Sequence, residues 1–302
     1  MIRQLPASRN RMTAVVLVLI AVLLCTALAA LVGRRSYRSA HSMFEADPPS
    51  ALLKHPGQAG IAGLQAVSFP SHDGLRIAAW YVPSKNRAAV IVAHGTNSDR
   101  STLLPEIRLL AAAGLGVLAF DWPGLGESQG PIVWDSGARY ALQAAIDWTS
   151  QQPDVDPARI GGLGFSMGGF VMTQVAAHDR RLRAIALEST PSDFQTYVKF
   201  HYTRRGWFSE WPARWALRGS SLMSMETAPV RLIGSLSPTP LLFIGQSDDF
   251  EIPASMVQAL YAAAREPKSI WIIHGAQHGH YDQVAGAEYE RRLQAFFAAN
   301  LL

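Results

Sequence analysis

Ile160-Gly-Gly-Leu-Gly-Phe-Ser-Met-Gly-Gly169 decides how the chain is read. An apolar run climbs to Gly164-Phe165-Ser166-Met167-Gly168, and a helix-forming segment over 170–177 follows at once. Strand, tight turn and helix in that order make a nucleophile elbow, with Ser166 at its apex. The apex backbone is strained and its neighbours pass close by, so small residues are needed on both sides. Gly164 and Gly168 flank the serine, and Gly169 lets the new helix lie against the sheet. The competing reading is a plain Gly-rich loop, since Gly-x-Ser-x-Gly arises by chance in roughly one chain of this length in ten. A dinucleotide fingerprint is excluded, because Met167 stands where its third glycine belongs. The elbow therefore needs a base, an acid and an oxyanion site from elsewhere in the chain.

Around the elbow, strands and helices alternate. Strands are expected over 64–69, 75–82, 88–93, 117–120, 160–165, 182–187, 240–245 and 270–273. Helices are expected over 101–113, 137–150, 253–264 and 285–298. This alternation predicts an α/β fold with a doubly wound, mostly parallel sheet, whose ligands bind beyond the carboxyl ends of the strands. The alternation breaks over 191–236, a segment with Trp207, Phe208, Trp211 and Trp215 and no clear strand, which reads as a helical lid inserted in the domain. Those four aromatics are candidates for an apolar acyl or leaving-group pocket. They would equally serve to pack the lid or to meet a membrane interface.

The chain has 302 residues, enough for one large domain. Its net charge of +4 resides in residues 1–47, which hold six arginines against Glu45 and Asp47. The remainder is neutral, so no basic stripe for nucleic acid is present. Cys25 is the single cysteine, which excludes an internal disulfide and any multi-cysteine metal site. Residues 12–32 carry no charge and would span a bilayer's hydrocarbon as a helix. Three readings stay open: a retained single-pass anchor, which is preferred; a signal peptide cleaved near Ala27-Leu28-Ala29, giving a secreted or periplasmic product; or a buried core helix. Three arginines on each side leave the side of the membrane undecided. The expected organisation is an anchor or signal over 1–38, a Pro/Gly linker over 39–63, and a catalytic domain over 64–302.

For the base, His278 is the strongest candidate. It lies in a short loop with small neighbours after the last strand, and His280 and His274 are rivals. For the acid that fixes the imidazole tautomer, Asp248 and Asp249 follow the strand 240–245. Counting forward from Gly245 favours Asp248, counting back from Pro253 favours Asp249, and Asp248 is preferred. No helical metal-ligand spacing and no cofactor motif occurs.

The order Ser166, Asp248, His278 is that of the α/β hydrolases. From about residue 64 onward the chain resembles that superfamily, and within it the serine-aminopeptidase-like and dienelactone-hydrolase-like esterases, which include membrane-anchored members. Ala93-His94-Gly95-Thr96 is similar to the His-Gly motif after the third strand, and Asp121-Trp-Pro-Gly-Leu-Gly-Glu-Ser128 to the Asp-x-x-Gly-x-Gly-x-Ser loop. The resemblance implies an oxyanion hole built from the N–H groups of Thr96 and Met167, a structural role for His94, and no cofactor. Cleavage of an ester or thioester through an acyl-enzyme, on a small-molecule or lipid-like acyl substrate, is expected on chemical ease, and the alternatives are a serine peptidase or aminopeptidase, or a non-catalytic binding module on the same fold. The loop departs from the family's frequent arginine by carrying Trp122-Pro123.

Overall fold

The computed structural model describes residues 7–45, 55–203 and 206–302, apart from the side chains of residues 7–10 and Trp207. The chain divides into two compact units, residues 43–197 with 219–302, and residues 1–42 with 198–218.

The larger unit is built on one eight-stranded sheet in the order β1-β2-β4-β3-β5-β6-β7-β8. Its strands are β1 (Gln65–Pro70), β2 (Arg76–Val82), β3 (Ala89–Ala93), β4 (Gly116–Phe120), β5 (Ile160–Phe165), β6 (Leu182–Glu188), β7 (Leu241–Gln246) and β8 (Lys268–Ile273). β1 and β2 form an antiparallel edge, and β4 onward runs parallel through β3, β5, β6, β7 and β8. β3 is wholly buried, as the central strand of a sheet covered on both faces must be.

Successive side chains of β5 point to opposite faces. A Cβ on Gly161 would meet Phe297, and one on Gly162 would meet Met172. Hence α10 (Ala287–Leu301) and α4 (Met167–Ala176) lie on opposite sides of the sheet. With α10 goes α2 (Leu104–Ala112), and with α4 goes α3 (Ser136–Ser150); α8 (Ala254–Ala263) packs on β7 and β8. Alternate residues of the strands, among them Val90, Val92, Val117, Ala119, Leu163 and Ala186, meet Ile107, Leu110, Leu293 and Phe297 in one apolar core.

Two expected helices differ in outline for local reasons. The α-helix expected from 101 begins at Leu104, after a 3-10 turn at Arg100–Leu103, because Pro105 lacks an N–H and fits only the first turn. The helix expected over 285–298 begins at Ala287 as α10, because Gly286, with φ +48°, separates it from an additional short helix, α9 (Tyr281–Ala285).

The inserted segment contains α5 (Phe194–Tyr202), α6 (Trp207–Leu217) and α7 (Pro229–Leu232), and no strand among the described residues. The smaller unit pairs α6 with α1 (Ala7–His41), a helix long and apolar enough to cross a membrane. Residues 11–28 of α1 are exposed all round, which excludes the buried core helix. The linker expected over 39–63 lies partly outside the described residues. Of its described part, 39–41 belong to α1, and Pro56–Ala59 is a 3-10 turn.

Candidate active site

β5, β6, β7 and β8 are neighbours and parallel, so the residues after them emerge along one edge of the sheet. Ser166 follows β5, Ser189 follows β6, Asp249 lies just beyond β7, and His278 lies in the loop after β8. Ser166 adopts φ +53° and ψ −117°, a strained backbone for a residue with a side chain. Its N–H donates to the Glu188 carbonyl at 2.8 Å and its carbonyl accepts from Phe170 N–H at 3.2 Å. The glycines around it are sterically compelled. A Cβ on Gly168 would strike the Ala93 carbonyl, one on Gly169 would strike Thr190, and one on Gly164 would strike the Gly169 backbone. The loop through Gly95 passes so close that a Cβ there would lie 3.2 Å from the Ser166 Cβ. Thr96 follows Gly95 on this loop, and Met167 opens α4, where N–H groups have no intrahelical acceptor.

The structure corrects the acid. His278 Nδ1 lies 2.8 Å from Asp249 Oδ2, whereas Asp248 is exposed and accepts from the Ser247 hydroxyl. The reason is local. Asp249 Oδ1 accepts from the N–H groups of Glu251 and Ile252, both at 2.8 Å, which turns this carboxylate inward and its neighbour outward. Burial opposes ionisation of Asp249, but the His278 hydrogen bond and charge, with the Ile252 N–H and the Ser189 hydroxyl, hold it below its ordinary value. An ionised Asp249 accepts a hydrogen bond from His278 Nδ1–H, which fixes the tautomer and leaves Nε2 as the proton acceptor. The imidazole packs against Phe165, the residue before the serine, with ring centroids 4.7 Å apart. His274 and His280 are exposed.

Ser189 and Gln246 escaped the sequence reading. Ser189 is fully buried, with φ +39°, and its Oγ lies 2.8 Å from Asp249 Oδ2 and 2.6 Å from the Gln246 side-chain amide. One hydroxyl proton serves both neighbours only if the amide presents Nε2 to Ser189. That orientation also gives the buried Nε2 a partner it otherwise lacks. The only sequence signal is position: each residue ends or follows a strand at the same edge.

A second buried cluster lies beneath. Tyr289 Oη is 2.7 Å from Glu188 Oε1 and 2.9 Å from Glu106 Oε1. The phenol has one proton to give, so one carboxyl must supply another. Burial pushes Glu106 up to about 7, and burial with the Glu106 charge raises Glu188 strongly. Tyr281 stacks on Tyr289 and meets Phe165 edge-on, which joins this cluster to the elbow.

His94 braces the loops. Its Nδ1 lies 2.8 Å from the Gly95 carbonyl, its Nε2 accepts from Trp122 N–H at 3.4 Å, and the Trp122 indole donates to its carbonyl. Burial lowers it to about 4, so it is neutral and not a second base. The Asp121 loop finds its guanidinium elsewhere in the sequence: Arg100 pairs with buried Asp121 and with Glu127. Arg100 also stacks over Trp80 at 4.8 Å. Of the aromatics expected to line a pocket, Phe208, Trp211 and Trp215 border a groove whose other wall is α1. The Trp207 side chain lies outside the described residues.

The sequence matches the family described as X-Pro dipeptidyl-peptidase (S15 family) over residues 28–287. Rv2307c of Mycobacterium tuberculosis is 33% identical over 215 residues, covering 70% of this chain and 71% of its own. YfhR of Escherichia coli is 29% identical over 222 residues, covering 71% and 73%. The esterase Pf2001 of Pyrococcus furiosus superposes with a TM-score of 0.71 at 21% identity, over 85% of this chain and 98% of its own. The α/β hydrolase GrgF of Penicillium gives 0.66 at 20% identity, over 79% and 99%. These structural likenesses carry the fold, and the sequence match carries the lineage: the chain is an α/β hydrolase and belongs to the X-Pro dipeptidyl-peptidase (S15) family.

Proposed function

We propose that the protein is a membrane-anchored serine hydrolase that cleaves carboxylic esters or thioesters through an acyl-enzyme. The observation that carries this reading is the Asp249–His278 hydrogen bond of 2.8 Å, at the sheet edge where the strained Ser166 emerges. His278 Nε2 takes the Ser166 proton as Oγ attacks the carbonyl carbon. The N–H groups of Thr96 and Met167 receive the oxyanion, each donor contributing about 3 kcal/mol. His278 then returns the proton to the leaving alcohol or thiol, and the acyl group stays on Ser166. Water, deprotonated by His278, attacks the acyl carbon, and His278 passes that proton to Ser166 Oγ as the acid product leaves.

An ester is favoured over a peptide with a free amino terminus, which calls for a cluster of acids to hold the ammonium. The inserted segment offers none: Glu210 pairs with Arg214 and Thr203, Asp193 caps Thr196 N–H, and Glu226 alone is exposed and outside the ion pairs among the described residues. A fluorophosphonate probe tests the chemistry. The native chain is expected to take one label, on Ser166, and Ser166→Ala to take none. Labelling that persists in Ser166→Ala sinks the assignment. An ester and peptide panel on the unlabelled native enzyme then fixes the bond class.

A further inference from the structure

We propose that the groove between α1 and α6 binds an anionic diacyl phospholipid of the membrane that α1 spans. The proposal rests on reading α1 as a retained anchor and is independent of the chemistry at Ser166.

α1 changes character along its length. Residues 11–28 are exposed on every side, and then Gly33, Ser36 and Ala40 form a buried stripe at helical spacing. The stripe faces α6: Ser36 Oγ lies 2.7 Å from Ser209 Oγ. A Cβ on Gly33 would approach both the Phe208 carbonyl and Pro212 to 3.3 Å. Pro212 has no N–H for the carbonyl four residues before it, which is the one that Gly33 approaches.

Where the two regimes meet, a groove of about 510 Å³ opens between Ala29, Ala30 and Gly33 on one side and Phe208, Trp211 and Trp215 on the other. This volume is in the range of small-ligand sites, about 300–1,000 Å³. A second groove of about 290 Å³ runs past Phe208 along Leu28 and Val32. Each has one arginine in its lining, Arg34 in the first, beside Tyr37, and Arg35 in the second. Arg34, Arg35 and Arg38 are exposed and take part in none of the ion pairs found among the described residues. By contrast, Arg214 pairs with Glu210, and Arg218 stacks over Trp215 at 4.4 Å.

Two apolar grooves flanking one phenyl ring, and leading to adjacent guanidinium groups, match two acyl chains and one phosphate. The depth agrees: Trp211 is 67% exposed and Trp215 42%, which suits the interfacial aromatic belt at the end of an apolar span. The charge selects the headgroup, since unpaired arginines beside a bilayer attract anionic lipid. A second copy of the chain fits worse, because a two-fold pairing through this face sets the same arginines against each other.

The test uses the full chain, purified in mild detergent and offered equal amounts of phosphatidylglycerol and phosphatidylcholine, with bound lipid read by native mass spectrometry. The native chain is expected to retain one phosphatidylglycerol with about tenfold preference. Arg34→Gln with Arg35→Gln brings the preference near parity, and Gly33→Leu, which wedges the helices and fills the groove, removes retention. Ser166→Ala keeps the lipid, so a failed hydrolase reading and a failed lipid site give different results. The intact mass reports whether residues 1–32 remain, and their loss removes the proposal with the anchor. Equal retention of both lipids by the native chain overturns it. So does unchanged phosphatidylglycerol retention in the arginine pair variant, or a lipid-free dimer.

Discussion

Asp248 and Asp249 are chemically identical neighbours, and their backbones decide their different fates. Asp249 is drawn inward by two N–H groups of the next turn, and Asp248 is left in solvent. Asp249→Asn is therefore expected to lower kcat on a p-nitrophenyl ester by about ten-thousandfold, the scale of losing the tautomer-fixing acid elsewhere. Asp248→Asn stays within about threefold, and the reverse ranking would return the role to Asp248. No periodicity in the sequence separates these two residues, because the difference lies in which carboxylate caps a turn. Ser189 was equally illegible, since its contact with Asp249 joins positions 60 residues apart. The Glu106–Glu188 pair makes a different kind of prediction. Its folded-state affinity for protons exceeds the ordinary carboxylate value of 4.5, with Glu106 at about 7. The folded state thus holds protons that the unfolded chain releases, and the pair's contribution is complete below about pH 4.5 and lost as pH rises through 7. Glu188→Gln should relieve that loss, raising stability relative to the native chain more at pH 8 than at pH 5 in urea unfolding. An equal offset at both pH values would exclude a shared proton.

Elements that depend on local chemistry were read well. The elbow was legible because each of its glycines answers a collision within a few residues or with the adjacent strand. The order of strands and helices followed from apolar period, and the parallel core followed from that order. Element ends were less legible where one residue overrules the pattern, as Pro105 and Gly286 do. The loop after β4 shows the limit most clearly. Its Trp122-Pro123 looks like the loss of a bracing arginine, yet the guanidinium arrives from Arg100, in the 3-10 turn before α2. Asp121 is fully buried, so its partner matters, whereas Glu127 is more than half exposed and adds little. Arg100→Met is expected to cost about 3–5 kcal/mol in urea unfolding, because it strands a buried carboxylate. Glu127→Gln should cost under about 1 kcal/mol. Similar costs for the two would mean that the Asp121 charge is compensated by its backbone donors alone.

For the whole chain, the sequence separated an apolar N-terminal span from a hydrolase domain. It did not foresee that the span continues as the same helix into contact with part of the inserted segment. That contact is carried by small residues, Gly33, Ser36 and Ala40, which hydropathy barely registers. The partnership has a measurable cost when broken. A chain beginning at Met43 lacks α1 and bares Ser209, Ala213 and Leu217, which are now fully buried. Such a chain is expected to aggregate in detergent-free size-exclusion chromatography and to run as a single species in mild detergent. A monodisperse, detergent-free monomer would show that α6 has no need of α1. The unbroken course of α1 has one more consequence. Ser36 stands four positions past the uncharged run, so in the proposed anchor, at 1.5 Å per residue, the rod would set α6 about 6 Å above the hydrocarbon edge. Such an anchor would be a ruler as well as a tether. Two residues inserted after Val32 would lift the stripe by about 3 Å and swing its azimuth by about 200°, turning the two tryptophans away from the surface they were cut to meet.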